Sequence, residues 1–461
     1  VELPKAKTII EPFKIKMVEP LYQLSSQERK EAAAKAHFNL FSLPAHRVTF
    51  DLLTDSSTSA MSSTQWASMM TADESYAGAK SFYRFESAIQ ELTGLKHVIP
   101  THQGRGAEYL LMKATLKPGQ VVIGNTHFDT TRANIESSGA KAIDLPSVEA
   151  KETSSMSPFK GNIDVLALKK YLAENPGQVA FVIMTVTNNS IGGLPVSLAN
   201  IRETKNICLE HKVPMFIDCA RFAENSYFIK MREPGQSQRS VREIARELFS
   251  YGDGAMMSAK KDAFGNIGGF LAVNDGPLAE EIRRLMVITE GFPTYGGLAG
   301  RDLEALAVGL EEVLDENYLA YRIRSVEYFG RALEDLGYPT VRPWGGHAAY
   351  IDAAQALPHI PVLQYPGQAL AVALYEHIGI RCCEVGTVML GQVDRMTGIE
   401  TPAPKELVRL AIPRRVYTQS HVDYMIEMAG YLKPQLPELK GYRITQQPKY
   451  LRHFTCTFER G

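Results

Sequence analysis

The sequence predicts an α/β protein with a large mixed, mostly parallel sheet and a second, smaller α+β domain. Two observations carry this. Short β-type apolar runs alternate with helix-length amphipathic stretches from about residue 97 to 273. The runs are apolar at nearly every position, as strands covered by helices on both faces must be. A chain of 461 residues also exceeds one typical core, which favours two or three domains.

In chain order, helical periodicity covers 26–37 behind a Ser cap, then 79–94, 104–116, 164–174, 198–211, 240–250, 278–288, 302–334, 367–378 and 419–432. The strand runs between them are HVIPT, QVVIGN, KAIDL, VAFVIMTVT, VPMFID, GAMMSA and GGFLAVN. Further strands are expected near 349–352, 380–385 and 408–412. The layout expected is an N-terminal arm with part of the small domain over 1–55, a large domain over 56–310, and a small C-terminal domain over 311–461.

Composition narrows the function. The formal net charge of −1 implies no sequence-independent attraction to nucleic acid or to an anionic membrane. No apolar run approaches the ~18 to 20 residues of a membrane span, and the N-terminal stretch lacks a signal-peptide core. The five cysteines form no CxxC pair and no metal-ligand spacing, so free thiols in a reducing cytoplasm are expected. Cys382 and Cys383 are adjacent and read as small core residues on opposite faces of a strand.

Ligands of open α/β sheets bind at the carboxyl ends of the strands. After HVIPT comes Gln103-Gly104-Arg105-Gly106 opening a helix, which is either a plain turn or an anion site made of backbone N–H groups and an arginine fork. After VAFVIMTVT come Asn188 and Asn189, and VPMFI ends in Asp218 with Arg221 beyond it. After GAMMSA come Lys260 and Lys261. A lysine at one strand end and an acid at another fit pyridoxal phosphate chemistry, with the lysine holding the aldehyde and the acid pairing with the ring nitrogen. Desolvation and a cationic neighbour would keep such a lysine nucleophilic. Taken alone, the pair also fits Lys260 reaching solvent and Lys261 pairing with Asp262.

The segments DLLTDSSTSAMSSTQWASMM, DESYAG, PTHQGRGAE, FDTTR, DCARFAENSYFIK, MSAKKDAFGNIGGF, TYGGLAGRDLEALAVGLEE, RLAIPRRVYT and LRHFT resemble the β-eliminating amino-acid lyases from about residue 10 onward. The resemblance implies the aspartate-aminotransferase-like fold (pyridoxal phosphate fold type I), a cytoplasmic homotetramer of catalytic dimers, and cleavage of an aromatic amino acid to pyruvate, ammonia and the free arene. It implies Lys261 as the Schiff-base lysine with Lys260 as its basic neighbour. Gln103, Gly104, Arg105 and Ser258 then lie at the cofactor phosphate. Phe128 stacks on the ring, Asp218 pairs with its nitrogen, and Asn189 and Arg221 lie near its hydroxyl. Arg409 holds the substrate carboxylate, helped by Thr54 and Asn189. Tyr76, from the partner subunit, is the acid for the leaving group. Glu74, with the carbonyls of Ser57 and Asn266, matches a potassium site at the subunit interface.

The leaving group is read from a few positions. Asp129 and His453 match the members that cleave tryptophan to indole, and Val385 stands where the members that cleave tyrosine to phenol carry an arginine. The short loop KATLKPGQ and the proline of IPRR match the phenol-releasing members instead. The residues expected to line the side-chain pocket outweigh loop length, so tryptophan is the expected substrate and tyrosine the alternative. Ser57, where the family has Gly, and Leu194, in GGLP rather than GGQP, depart from the pattern. If position 57 requires a positive φ, serine strains the cation site.

Overall fold

The computed structural model describes residues 8–394, 396–448 and 451–461. The chain divides into two compact units. The first comprises Ser56–Glu152 and Ser157–Ala320; the second comprises the chain up to Asp55, Thr153–Met156 and Tyr321–Gly461. The first seven residues of the expected N-terminal arm lie outside the described residues.

The first unit is built on seven strands: β1 (His97–Thr101), β2 (Val121–Gly124), β3 (Lys141–Asp144), β4 (Val179–Thr185), β5 (Met215–Asp218), β6 (Gly254–Ser258) and β7 (Gly269–Val273). Their order across the sheet is β1-β7-β6-β5-β4-β2-β3. β7 runs antiparallel to both neighbours, and every other pairing is parallel. Alternate residues explain why the strands are apolar throughout. Ile123, Val182, Met184, Ile217, Ala255 and Phe270 join one buried cluster. Val122, Phe181, Ile183, Phe216, Met256 and Leu271 join another. Each strand therefore feeds two cores, one per face.

The expected helices appear within a residue or two of their predicted ends, with one break and, among the described residues of the first unit, three additions. The relevant helices are α1 (Ser26–Lys35), α2 (Ser63–Met70), α3 (Lys80–Thr93), α4 (Gly104–Thr115), α5 (Asp129–Ser137), α6 (Val165–Glu174), α7 (Leu198–Glu210), α8 (Phe222–Arg232), α9 (Val241–Ser250), α10 (Gly276–Thr289), α11 (Gly300–Glu312) and α12 (Glu316–Asp335). The periodic stretch 302–334 is thus two helices, α11 and α12. Asp315 ends the first run and accepts the N–H groups of Asn317 and Tyr318 at 2.7 and 3.0 Å, capping the second. α2, α5 and α8 carry no clear apolar stripe. α2 is only eight residues long and starts from a Ser62–Gln65 capping box. α8 is buried over most of its length, so periodicity does not mark it.

The second unit holds a three-stranded antiparallel sheet. Its strands are β8 (Ala348–Asp352), β9 (Cys383–Val385) and β10 (Leu407–Ala411), in the order β9-β10-β8. Phe50–Asp51 pairs in parallel with Ile380–Arg381. Helix α13 (Pro366–Ile378) is buried at every position but His377. Cys382 and Cys383 are both buried, as expected of core thiols. Two further helices, α14 (Thr387–Leu390) and α15 (Gln419–Leu432), complete the parts used below. Among the described residues, no helix is long and apolar enough to cross a membrane.

Candidate active site

The sheet of the first unit collects the polar residues at one end. Ser258 and Thr101 both register with Gly269, the first residue of the antiparallel strand β7. Asp218 registers with Thr185 on one side and Met256 on the other. The ends of β4, β5 and β6 therefore lie side by side, with that of β1 on the far side of β7, each followed by one of the marked segments.

The start of α4 stands directly against the end of β6. A Cβ at Gly104 would lie 2.6 Å from Ser258 Cβ and 2.9 Å from its Cα. A Cβ at Gly269 would lie 2.6 Å from Met257 O and 2.7 Å from Gln103 C. Only glycine fits either position, and the approach sets the first N–H groups of α4 beside Ser258. Those N–H groups lack intrahelical partners and carry the positive end of the helix dipole. With Arg105 and the Ser258 hydroxyl they make a donor set suited to a phosphate. This cradle fits pyridoxal phosphate.

The lysine pair and the acid face each other here too. Burial pushes the Asp218 carboxyl above its ordinary range, while Lys261, the Ala220 N–H and Arg221 act against that rise. Lys261 and Arg221 are thus the cations that face Asp218. Lys260 donates to Gln103 Oε1 at 3.1 Å. Burial and then the charge of Arg105 lower the Lys260 pKa. Asp262, the surface partner considered for Lys261, is fully buried and accepts the Ala223 N–H at 2.8 Å at the start of α8.

Phe128 occupies the N-cap of α5 and Asp129 its first turn. Asp129 is buried and accepts the Thr130 N–H at 2.6 Å. The loop before them is fixed at both ends. His127 donates its main-chain N–H to Asp144 Oδ1 at 2.9 Å and sets ring Nδ1 2.6 Å from the same oxygen. Asn125 exchanges hydrogen bonds with Thr185, holding the ends of β2 and β4 together. Asn189 is buried just beyond β4, and the departure at Leu194 is a fully buried side chain.

One site residue went unnoticed in the sequence although it ends a quoted motif: Glu108, on α4. It is buried and takes the Thr131 hydroxyl at 2.9 Å and the Asn134 amide at 3.3 Å. Burial, with the charge of Asp218, pushes its carboxyl up to about 7. Its position one helical turn beyond Gly104, on the same face of α4, was the available signal.

Ser57 has φ +68°, so the condition set out for strain at this position is met. Its N–H donates to Lys260 O at 2.9 Å and its carbonyl accepts the Asn266 amide at 3.0 Å. Glu74 caps α11, accepting Gly300 N–H at 2.7 Å and Arg301 N–H at 3.2 Å, and its side chain remains 45% exposed. Tyr76 is 71% exposed and packs on Phe292 and Tyr295, and the hydrogen bond to Tyr295 raises its pKa.

In the second unit, Arg409 is buried on β10, opposite Cys383 and Tyr350, and donates to Leu53 O at 3.1 Å. Its neighbour in sequence to that carbonyl is Thr54. Val385 is buried at the end of β9. His453 is buried in the turn Arg452–Phe454, its ring 5.7 Å from Phe41 and 4.0 Å from Phe454. Arg452 donates to Val388 O at 2.9 Å and ties this turn to the segment after Val385. Glu384 and Glu406 sit beneath that segment. A Cβ at Gly386 would lie 2.6 Å from an oxygen of each.

A serine palmitoyltransferase of Sphingomonas wittichii superposes with a TM-score of 0.56 over 84% of this chain and 88% of that one, at 15% identity. That likeness concerns the fold, which is pyridoxal phosphate fold type I. The tryptophanase of Salinibacter ruber (strain DSM 13855 / M31) is 57% identical over 97% of this chain and 95% of its own length. The tyrosine phenol-lyase of Symbiobacterium thermophilum is 46% identical over 97% of this chain and 98% of its own. Residues 51–428 match the family model of the β-eliminating lyases, and with that match, the cradle at Gly104 and the lysine facing Asp218, the chain belongs to the β-eliminating lyase family.

Proposed function

We propose that this chain catalyses the pyridoxal 5′-phosphate-dependent β-elimination of L-tryptophan to indole, pyruvate and ammonia. Val385 carries the choice of substrate. It is buried and apolar, and Glu384 beside it is turned to the N–H groups of Val388 and Met389, each at 3.0 Å. A phenol hydroxyl left unpaired here costs ~1 to 3 kcal/mol. An indole ring gains from apolar contact and has one N–H to satisfy. The greater identity to a tryptophanase than to a tyrosine phenol-lyase supports the same choice.

Pyridoxal phosphate, when bound, supplies the electron sink that makes the substrate α-proton removable. Gln103, Gly104, Arg105 and Ser258 would hold its phosphate, Phe128 its ring face, Asp218 its ring nitrogen, and Asn189 and Arg221 its hydroxyl. Lys261 would hold the cofactor's aldehyde and would serve as the base for the substrate α-proton. Arg409 would grip the α-carboxylate with its planar fork, helped by Thr54 and Asn189. An aryl carbon leaves only once protonated, and the partner subunit's Tyr76 is the acid for that step. Asp129 and His453 orient the indole or assist its protonation.

Tyr76 and Glu74 are exposed in one short segment, which favours a second copy of the chain completing the site. A homotetramer of catalytic dimers, with potassium held by Glu74 and the Ser57 and Asn266 oxygens, is part of this proposal. Oxygen ligands suit a hard cation. Five buried free thiols favour a cytoplasmic enzyme. The test is to supply tryptophan and tyrosine separately and identify the arene. Indole from tryptophan, at far higher kcat/KM than phenol from tyrosine, is the expected result. Comparable or faster phenol release overturns the substrate assignment. Equal activity in sodium-only and potassium buffer removes the cation.

A further inference from the structure

A chain of four side chains runs from the lysine pair away from the expected reaction. Lys260 Nζ lies 3.1 Å from Gln103 Oε1, Gln103 Nε2 lies 2.9 Å from His102 Nε2, and His102 Nδ1 lies 2.5 Å from Glu290 Oε2. The same carboxylate oxygen accepts the His102 main-chain N–H at 2.8 Å. The Glu290 side chain is 4% exposed, at the C-cap of α10. Its place is fixed further by Gly106, where a Cβ would lie 2.6 Å from Oε1.

We propose that His102 and Glu290 are positioning residues for Lys260, because together they dictate which end of the Gln103 amide faces the lysine. A carboxylate has no proton to offer, so Nδ1 must carry the ring hydrogen toward Glu290. In the tautomer with its hydrogen on Nδ1, Nε2 is an acceptor, and only the amide nitrogen of Gln103 can serve it. The amide oxygen is thereby committed to Lys260, which has donors and no acceptor. If the ring nitrogens exchange roles, the amide turns over and two donor groups meet. The orientation of Gln103 is thus set two residues away from the amine that depends on it. The Gln103 oxygen stabilises the ammonium form of Lys260 and works against the burial and the Arg105 charge that lower its pKa. The mechanistic importance of Lys260 as neighbour of Lys261 rests on the proposed function; the relay itself does not.

Competitive acetylation of the cofactor-loaded protein across pH, read by mass spectrometry at Lys260, gives its titration midpoint without any turnover. His102→Phe keeps a ring of similar bulk and removes both nitrogens, and should lower the midpoint by roughly half a pH unit. His102→Gln offers an N–H to Glu290 and an oxygen to Gln103, and should restore the wild-type midpoint. Gln103→Leu should lower it as His102→Phe does, and the double variant should go no further. An unchanged midpoint in both His102→Phe and Gln103→Leu overturns the proposal, as does a His102→Gln variant that behaves like His102→Phe. If His102→Phe does not fold, Gln103→Leu and His102→Gln decide alone: a shift in the first with none in the second supports the relay. Failure of the tryptophan assay with these shifts intact would count against the proposed function and leave the relay standing.

Discussion

Asp218 in the first unit and the Glu384–Glu406 pair in the second are acids buried in opposite ways. In the first, Asp218 lies against Lys261 and Arg221, and a buried carboxylate is offset by nearby cations. In the second, Glu384 and Glu406 lie beside each other, and backbone N–H groups and a hydroxyl do the compensating. Glu384 takes the N–H groups of Val388 and Met389, and Glu406 takes the N–H and hydroxyl of Thr387. Burial and mutual repulsion push Glu384 up to about 8. Burial pushes Glu406 up to about 7. Cations beside a buried acid favour its charged form, whereas a pair of acids near dipoles, raised to about 8 and about 7, changes its proton count across neutral pH. The first arrangement suits a site whose electrostatics must stay fixed during turnover. The second makes the segment after Val385 a pH-responsive part of its unit, as Glu108 is in the first.

The largest expected effect breaks the first arrangement at its cation. Lys261→Ala should lose activity by about 10³-fold or more, since the proposed anchor and base are both removed. It should also shift the visible absorbance of the bound cofactor. Full activity would show that another lysine does the work.

Next comes a pair of glycines with the same clearance. A Cβ at Gly104 meets Ser258 Cβ and Cα at 2.6 and 2.9 Å, whereas a Cβ at Gly386 meets carboxylate oxygens at 2.6 Å. The backbone of a central strand cannot give way, and side-chain tips can. Gly104→Ala should therefore weaken cofactor affinity about tenfold or more, measured by equilibrium dialysis, and lower Tm. Gly386→Ala should leave cofactor affinity unchanged and affect substrate KM. Equal loss of cofactor in both would erase the distinction between the two units.

The sequence made the sheet legible because its strands are apolar on both faces, and the resemblance supplied the proposed site residues. What it hid was pairing at a distance. The α11–α12 break rests on Asp315, an ordinary acid until its bonds to Asn317 and Tyr318 are seen. Glu108 reads as one polar residue in a helix, and only the fold sets it among Thr131, Asn134 and Asp218. Glu384 and Glu406 stand 22 residues apart in the chain and become neighbours through the β9–β10 pairing of Glu384 with Val408. Helix α8, buried nearly all round, offered no periodicity to read.

A smaller effect should appear in the pH dependence of stability. The folded-state value of Glu384, about 8, lies above its ordinary 4.5, so the folded protein holds a proton that the unfolded chain releases. Stability from this group is therefore full at acid pH and falls as pH rises through that window. Glu384→Gln removes the titration and gives Glu406 Oε2, which has no partner, a nearby amide donor. Its Tm should fall less steeply than wild type between about pH 5 and 8. Parallel Tm curves would show that the pair does not titrate there.

The smallest expected effect concerns the strained serine beside the lysine pair. Ser57 holds φ +68° while its N–H bonds Lys260 O and its carbonyl accepts Asn266. A left-handed conformation costs a non-glycine residue about 1 to 2 kcal/mol. Ser57→Gly relieves that cost, but glycine loses roughly 0.5 to 1 kcal/mol more backbone entropy on folding. The two nearly cancel, so Ser57→Gly should change stability by less than about 1 kcal/mol, toward higher Tm. Ser57→Val cannot share the near-cancellation, because a β-branched residue at positive φ keeps the strain and adds to it. It should destabilise the first unit and loosen the Lys260 carbonyl that Ser57 holds. Thermal unfolding of the two variants side by side decides this: equal Tm values would mean that the backbone at position 57 relaxes freely, and that the lysine pair is held in place by β6 and the Gly104 cradle alone.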